Sequence, residues 1–141
     1  DCFYEGHPGM LIHPIGFVRN GRRRTESRFG IGGGGANSRL ELLETQRPFL
    51  EKIEEETHLT VVYYLHQSRP VDSVFRRGLD GKRVGLFATR TPDRPSKIAV
   101  SQVKLVAVEG TTLQVEGLDA IEGSPVLDIK LGRKALEARP P

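Results

Sequence analysis

Apolar residues recur along this chain mostly at every second position, and a helical spacing shows in one stretch only. Ser38–Leu43 (SRLELL) alternates polar with apolar and sets Leu40 and Leu42 on one face, the pattern of a half-buried strand. His58–His66 (HLTVVYYLH) is rich in β-branched and aromatic residues and is expected to be the central strand. His58 and His66 bracket it eight residues apart, so they are expected on the same face. Leu11–Arg19 is β-prone, but Pro14 removes a ladder donor and predicts an edge or irregular strand. Arg83–Thr89 and Ile98–Val108 read as further strands. Glu109-Gly110 is a hairpin turn, Thr112–Val115 returns from it, and Pro125–Lys130 is the last short strand. Arg47–Glu55 alone shifts to helical spacing, with Pro48 suited to a first turn and Phe49, Leu50 and Ile53 on a shared face.

Between these elements lie loops: the basic, glycine-rich Asn20–Asn37; Gln67–Lys82, with Pro70 and the pair Asp80-Gly81; Arg90–Lys97, broken by two prolines; and Gly117–Ser124. About six strands and one short helix predict a mostly β fold, a small, largely antiparallel β-barrel. The 141 residues suit a single domain with its core at about 12–130, and residues 132–141 are expected to form a loosely ordered tail.

Composition narrows the class. With 37% hydrophobic and 28% charged residues the chain is neither membrane-spanning nor disordered in character. Asp1–Glu5 has neither the basic region nor the apolar run of a signal peptide, which leaves a cytoplasmic location as the default expectation. The single cysteine, Cys2, excludes an internal disulfide and a multi-cysteine metal site. Net charge is +3, unevenly spread: Arg19, Arg22, Arg23, Arg24 and Arg28 crowd one stretch, and Glu51, Glu54, Glu55 and Glu56 another. The arginine run is a candidate phosphate-binding footprint, and the glutamates read as a solvated face.

Most motifs fail on context. Gly30–Gly35 fits G-x-G-x-x-G, but a basic loop precedes it and a strand follows, where a dinucleotide site needs a strand and then a helix. His7, His13, His58 and His66 have no metal-ligand spacing, so no metal is expected, and no G-x-S-x-G elbow occurs.

Two longer segments carry a family likeness. Val84-Gly85-Leu86-Phe87-Ala88-Thr89-Arg90-Thr91-Pro92-Asp93-Arg94-Pro95 continues through Ser96-Lys97-Ile98-Ala99-Val100-Ser101, and Asp119-Ala120-Ile121-Glu122-Gly123-Ser124-Pro125 through Val126-Leu127-Asp128-Ile129-Lys130. Weaker matches are Pro14-Ile15-Gly16, Ser38–Leu42 and His58-Leu59 leading to His66-Gln67. In order and spacing, over roughly Ile12–Lys130, the chain resembles the TrmO-like (YaeB/TsaA-like) family of S-adenosylmethionine-dependent tRNA N6-methyltransferases. It departs from that pattern at Ser96-Lys97-Ile98-Ala99, where the family has N-P-I-G, in the glycine-rich loop, and at Leu131–Lys134.

The resemblance implies a small β-barrel, a homodimer, S-adenosylmethionine as cofactor, and N6-methylation of a modified adenosine beside the tRNA anticodon. By matching positions it implies cofactor contacts from His66, Gln67, Arg90, Val100 and the loop Asp119, Ala120, Ile121 and Glu122. Arg90 suits a two-point bond to the cofactor carboxylate. His66 is the candidate proton acceptor at neutral pH. RNA contacts are expected from Arg19, Arg22, Arg23 and Arg24, with Tyr63 or Tyr64 as a stacking surface, one of which must face the core. Two alternatives stand beside this reading: a methyltransferase of the same fold acting on a small molecule, and a module that binds cofactor or RNA without turnover.

Overall fold

Alternation in the sequence becomes alternation in burial around a closed barrel. The structure, a computed structural model of the chain, describes residues 8–23, 37–67 and 74–137. Among these, β1 (Gly16–Arg19), β2 (Asn37–Leu42), β3 (His58–Tyr64), β6 (Ile98–Glu109), β7 (Thr112–Glu116) and β8 (Pro125–Leu131) close in the order β1-β2-β7-β6-β3-β8, every neighbour antiparallel. The strands β4 (Val74–Arg76) and β5 (Arg83–Gly85) form a separate two-stranded sheet, and α1 (Arg133–Glu137) follows β8. The expected mostly β, antiparallel barrel is what forms.

Inward positions of the barrel strands fill its interior. Val18, Leu40, Val61, Val103, Leu113, Val115 and Val126, joined by Leu118 from the loop before β8, are at most 1% exposed. Each such side chain contributes roughly 1.5–3 kcal/mol by leaving water, which offsets the small size of the strands. In β3 the inward set is Leu59, Val61 and Tyr63, so Tyr63 faces the core and Tyr64 faces outward.

Several expectations about elements are corrected. The expected helix at Arg47–Glu55 is a pair of 3-10 turns, Glu44–Leu50 and Ile53–Glu55, separated by Lys52 at φ 63°. Leu50 and Ile53, one from each turn, both pack against the core, whereas Phe49 is 79% exposed. Among the described residues the one α-helix is α1, in what was expected to be a loose tail; it packs on β3 with Ala135 buried. Residues 138–141 lie outside the described residues. The strand expected over Arg83–Thr89 stops at Gly85, because the Thr89 hydroxyl and amide both donate to the Leu86 carbonyl (2.6 and 3.1 Å) and close a 3-10 turn at Leu86–Ala88. β4 forms inside the expected loop Gln67–Lys82. The strand expected from Leu11 begins at Gly16, after Pro14, and in a closed barrel it has no free edge. His58 and His66 do not share a strand face, since β3 ends at Tyr64 and His66 sits in the turn beyond it. Most of the glycine-rich stretch, with Arg24 and Arg28, lies outside the described residues.

Candidate functional site

Where β3 and β6 end beside the proline-rich loop, a cleft of about 220 Å³ opens. Arg90 and Arg94 come from the loop, Leu65 from the end of β3, Ala99 and Val100 from the start of β6, and Asp119 from the segment before β8. The two signature segments thus meet across one hollow, although Arg90 and Asp119 are far apart in the chain.

Hydrogen bonds fix each wall. The Tyr63 hydroxyl donates to the Asp119 carbonyl at 2.8 Å and lies 3.0 Å from Ser101 Oγ. Its one proton is committed to the carbonyl, so Ser101 donates to it. Burial pushes the Tyr63 phenol up to about 12, with Ser101's hydrogen bond opposing; nearby Asp119 raises it and Arg90 lowers it. The phenol therefore remains a donor across the neutral range, and ties β3 and β6 to the 118–122 loop.

That loop is clamped from its other side. Asn20 Nδ2 donates to the Ala120 carbonyl at 2.8 Å, and Arg22 Nη1 to the Leu118 carbonyl at 3.1 Å. Glu122 Oε1 accepts the Asn20 and Gly21 amides, both at 2.8 Å, and Oε2 accepts Arg19 Nη1 at 3.2 Å. These amides, with Arg19, hold the Glu122 carboxyl below its ordinary value. Gly123, at φ 81°, takes the backbone into the left-handed turn that leads into β8.

The proline-rich loop is held by its own polar groups. Arg94 Nη1 donates to the carbonyls of Thr89 (3.1 Å) and Thr91 (3.2 Å), and the Leu65 amide donates to the Lys97 carbonyl at 2.7 Å. Lys97 has φ 57°, a value closed to proline, whose ring fixes φ near −65°. Replacement of the family's N-P by Ser96-Lys97 is thus matched by a backbone that proline cannot follow.

Of the residues expected at the cofactor, Arg90, Val100 and Asp119 line the cleft. His66 and Gln67 are exposed in the turn after β3, and His66 Nε2 lies 3.9 Å from where a Cβ on Gly123 would sit, next to the 119–122 loop. Ala120 is buried, Ile121 is half-buried with its carbonyl accepting Ser124 Oγ at 2.8 Å, and Glu122 points back to Asn20 and Gly21. Tyr63, Ser101 and Asn20 were not expected as cofactor contacts, whereas Arg94, which could share the role of Arg90, does line the cleft. Ser101 closes the first signature, but nothing in its spacing marked it as the partner of a tyrosine. Of the arginine run, Arg19 pairs with Glu41 and Glu122, Arg22 donates inward, Arg23 is exposed, and Arg24 lies outside the described residues. Among the described residues, no three His, Cys, Asp or Glu side chains are grouped to hold a metal, and no helix is long and apolar enough to cross a membrane.

The chain is similar to known proteins over most of its length. Residues 28–132 match the family described as tRNA-methyltransferase O N-terminal domain. An S-adenosyl-L-methionine-binding protein of Archaeoglobus fulgidus is 35% identical over 127 residues, covering 86% of this chain and 88% of its own length. The human tRNA (adenine(37)-N6)-methyltransferase is 29% identical over 130 residues, 86% of this chain but 30% of its length. The crystal structure of TrmO from Pseudomonas aeruginosa superposes with a TM-score of 0.69 at 30% identity, over 94% of this chain and 60% of that one. The chain spans only 25% and 44% of the length of two further curated relatives that it matches.

Proposed function

Since this chain belongs to the tRNA-methyltransferase O N-terminal domain family, we propose that it is an S-adenosylmethionine-dependent methyltransferase domain that N6-methylates a modified adenosine next to the tRNA anticodon. The observation that carries this reading is the pairing of Arg90 and Asp119 in one cleft with an apolar wall at Leu65 and Ala99. A guanidinium and a carboxylate suit the carboxylate and ammonium of an amino-acid moiety, and the apolar wall suits a thioether chain or a purine face. The donor set therefore fits the cofactor named for the relatives.

When bound, S-adenosylmethionine supplies an electrophilic methyl group on a sulfonium. The protein's part is alignment and exclusion of water. Arg90 binds and orients from the proline-rich loop, and Asp119 from the clamped segment before β8. Val100 lines the same cleft, and His66, Gln67 and the 120–122 segment are proposed as further cofactor contacts from outside its lining. The exposed His66 imidazole, beside Gly123, is the proposed acceptor for the proton that leaves the adenine amine. A cytoplasmic homodimer with tRNA as partner completes the proposal.

One observation favours a second reading, a same-fold methyltransferase with another acceptor or a module that binds without turnover. At Lys97, in the same loop as Arg90, φ is 57°, so the backbone there departs from the family pattern, which has proline at this position. A methyl-transfer assay separates the two. The full chain, labelled S-adenosylmethionine and tRNA carrying threonylcarbamoyl-adenosine are expected to give label in N6-methylated nucleoside after digestion. Saturable cofactor binding with no label in any tRNA would instead support the second reading.

A further inference from the structure

Besides the Arg19–Arg28 stretch, positive charge gathers in a second segment. Residues 74–97 hold seven Lys and Arg against Asp80 and Asp93, net +5, while the whole chain is +3, so the rest of the chain is net −2. On the barrel the cations tend to be matched: Arg19 lies 3.3 Å from Glu41 and 3.2 Å from Glu122, and Arg47 bonds Glu44. On the β4–β5 hairpin Arg77 is matched by Asp80, but Arg76, Lys82 and Arg83 have no carboxylate partner among the described residues.

The register sharpens this. Arg76 stands directly opposite Arg83, so both side chains leave the same face of the small sheet, and Arg76 Nη1 also donates to the Gly81 carbonyl at 3.2 Å. Like charges opposite one another destabilise a strand pair, and a two-stranded sheet outside a core is marginal to begin with. A partner with negative charge would relieve that repulsion.

An aromatic ring stands next to this charge. Phe87 is 82% exposed, yet its turn is firmly fixed. Leu86 beneath it is buried, Thr89 closes the turn onto the Leu86 carbonyl, and Arg77 Nη1 donates to the Ala88 carbonyl at 3.0 Å. Arg77 thereby joins the hairpin to the turn, and two residues after Phe87 the chain enters the cleft at Thr89 and Arg90. Hairpin, ring and cleft mouth form one continuous path. Phosphate-binding cations beside a solvent-facing aromatic are the means by which single-stranded nucleic acid is held, through backbone charge and base stacking.

We propose that the β4–β5 hairpin and the Phe87 turn form the RNA-docking face, with Arg76, Lys82 and Arg83 contacting phosphates and Phe87 stacking an unpaired base at the cleft mouth. This rests on the tRNA reading above and assigns its binding surface to a different segment from the Arg19–Arg24 run.

The test measures tRNA affinity of the full chain at stepped salt concentrations, with S-adenosylmethionine titrated in parallel. Lys82→Glu with Arg83→Glu is expected to weaken tRNA binding about 10-fold or more near 0.1 M salt and to make the log–log salt slope shallower by about 2. Phe87→Ala is expected to weaken binding about 5-fold with the slope unchanged, and Phe87→Tyr to restore it. Cofactor affinity should be the same in all of these, since none of the substituted residues lines the cleft, and Arg23→Glu should shift tRNA affinity less than twofold. Wild-type binding that is untouched by the hairpin and Phe87 variants, or lost in Arg23→Glu alone, overturns the surface. Absence of tRNA binding by the wild type overturns the tRNA reading itself.

Discussion

Glu122 shows how a side chain that reads as a ligand contact can serve the loop that carries the contact. Its position before Gly123 and the following Ser-Pro identified a loop carboxylate; only the fold brings the Asn20 and Gly21 amides to it. Because the folded carboxyl is held below its ordinary 4.5, the stability it contributes is complete above that value and is lost as pH falls through the folded pKa. Glu122→Gln should therefore melt below the wild type at neutral pH, and the gap should close as pH falls through the lowered pKa of the folded carboxyl; a gap that is constant with pH would show that the charge is not what matters. Tyr63 is the complementary case. The chain marked it as one of two tyrosines of which one must be buried, but its bonds to Ser101 and the Asp119 carbonyl depend on long-range register. Tyr63→Phe leaves both partners short of a bond in a buried site and should cost about 1–3 kcal/mol in chemical denaturation. It should also weaken cofactor binding, because the Asp119 segment loses its tie; an unchanged cofactor affinity would detach that tie from the site.

Elements were legible where burial on one side imposes a period of two. β2 declared itself this way, β3 by its β-branched and aromatic residues, and the β6–β7 hairpin by its Glu109-Gly110 turn. The misses have a common cause in short-range chemistry that hydrophobic spacing does not report. Leu50 and Ile53 fit a 3-10 period as well as an α-helical one, and Lys52 in the left-handed region divides the segment. β4 is three residues long and ends in an arginine, so it is too short to show an apolar alternation. α1 was hidden because its start depends on Gly132. A Cβ there would stand 2.3 Å from the His58 carbonyl carbon and 2.5 Å from its oxygen, so only glycine lets the chain cross β3 this closely. Gly132→Ala should destabilise the domain by about 1–3 kcal/mol, read as a lower denaturation midpoint at unchanged slope. An unaltered midpoint would mean that β3 and β8 part without cost.

At the scale of the whole molecule, closure of the barrel is what makes a site from two distant signatures. The sheet brings the end of β3 and the start of β6 together, Asn20 and Glu122 brace the 118–122 loop from one side, and Tyr63 holds it from the other. The remaining wall is the Arg90 loop, stiffened by prolines and by Arg94. The family likeness gave the Arg90 and Asp119 segments as contacts, and the fold puts both on one cleft. It did not give the hairpin, whose charge becomes meaningful only once Arg76 and Arg83 are seen facing the same way.

Calorimetric titration with S-adenosylmethionine, run on the wild type and on Arg90→Ala, tests the central claim most directly. The account predicts saturable binding at one molecule per chain for the wild type, and a loss of about 10- to 100-fold in Arg90→Ala with the thermal transition retained, as expected for a charge-assisted pair of hydrogen bonds. No saturable heat in the wild type, or equal affinity in the two proteins, would contradict it.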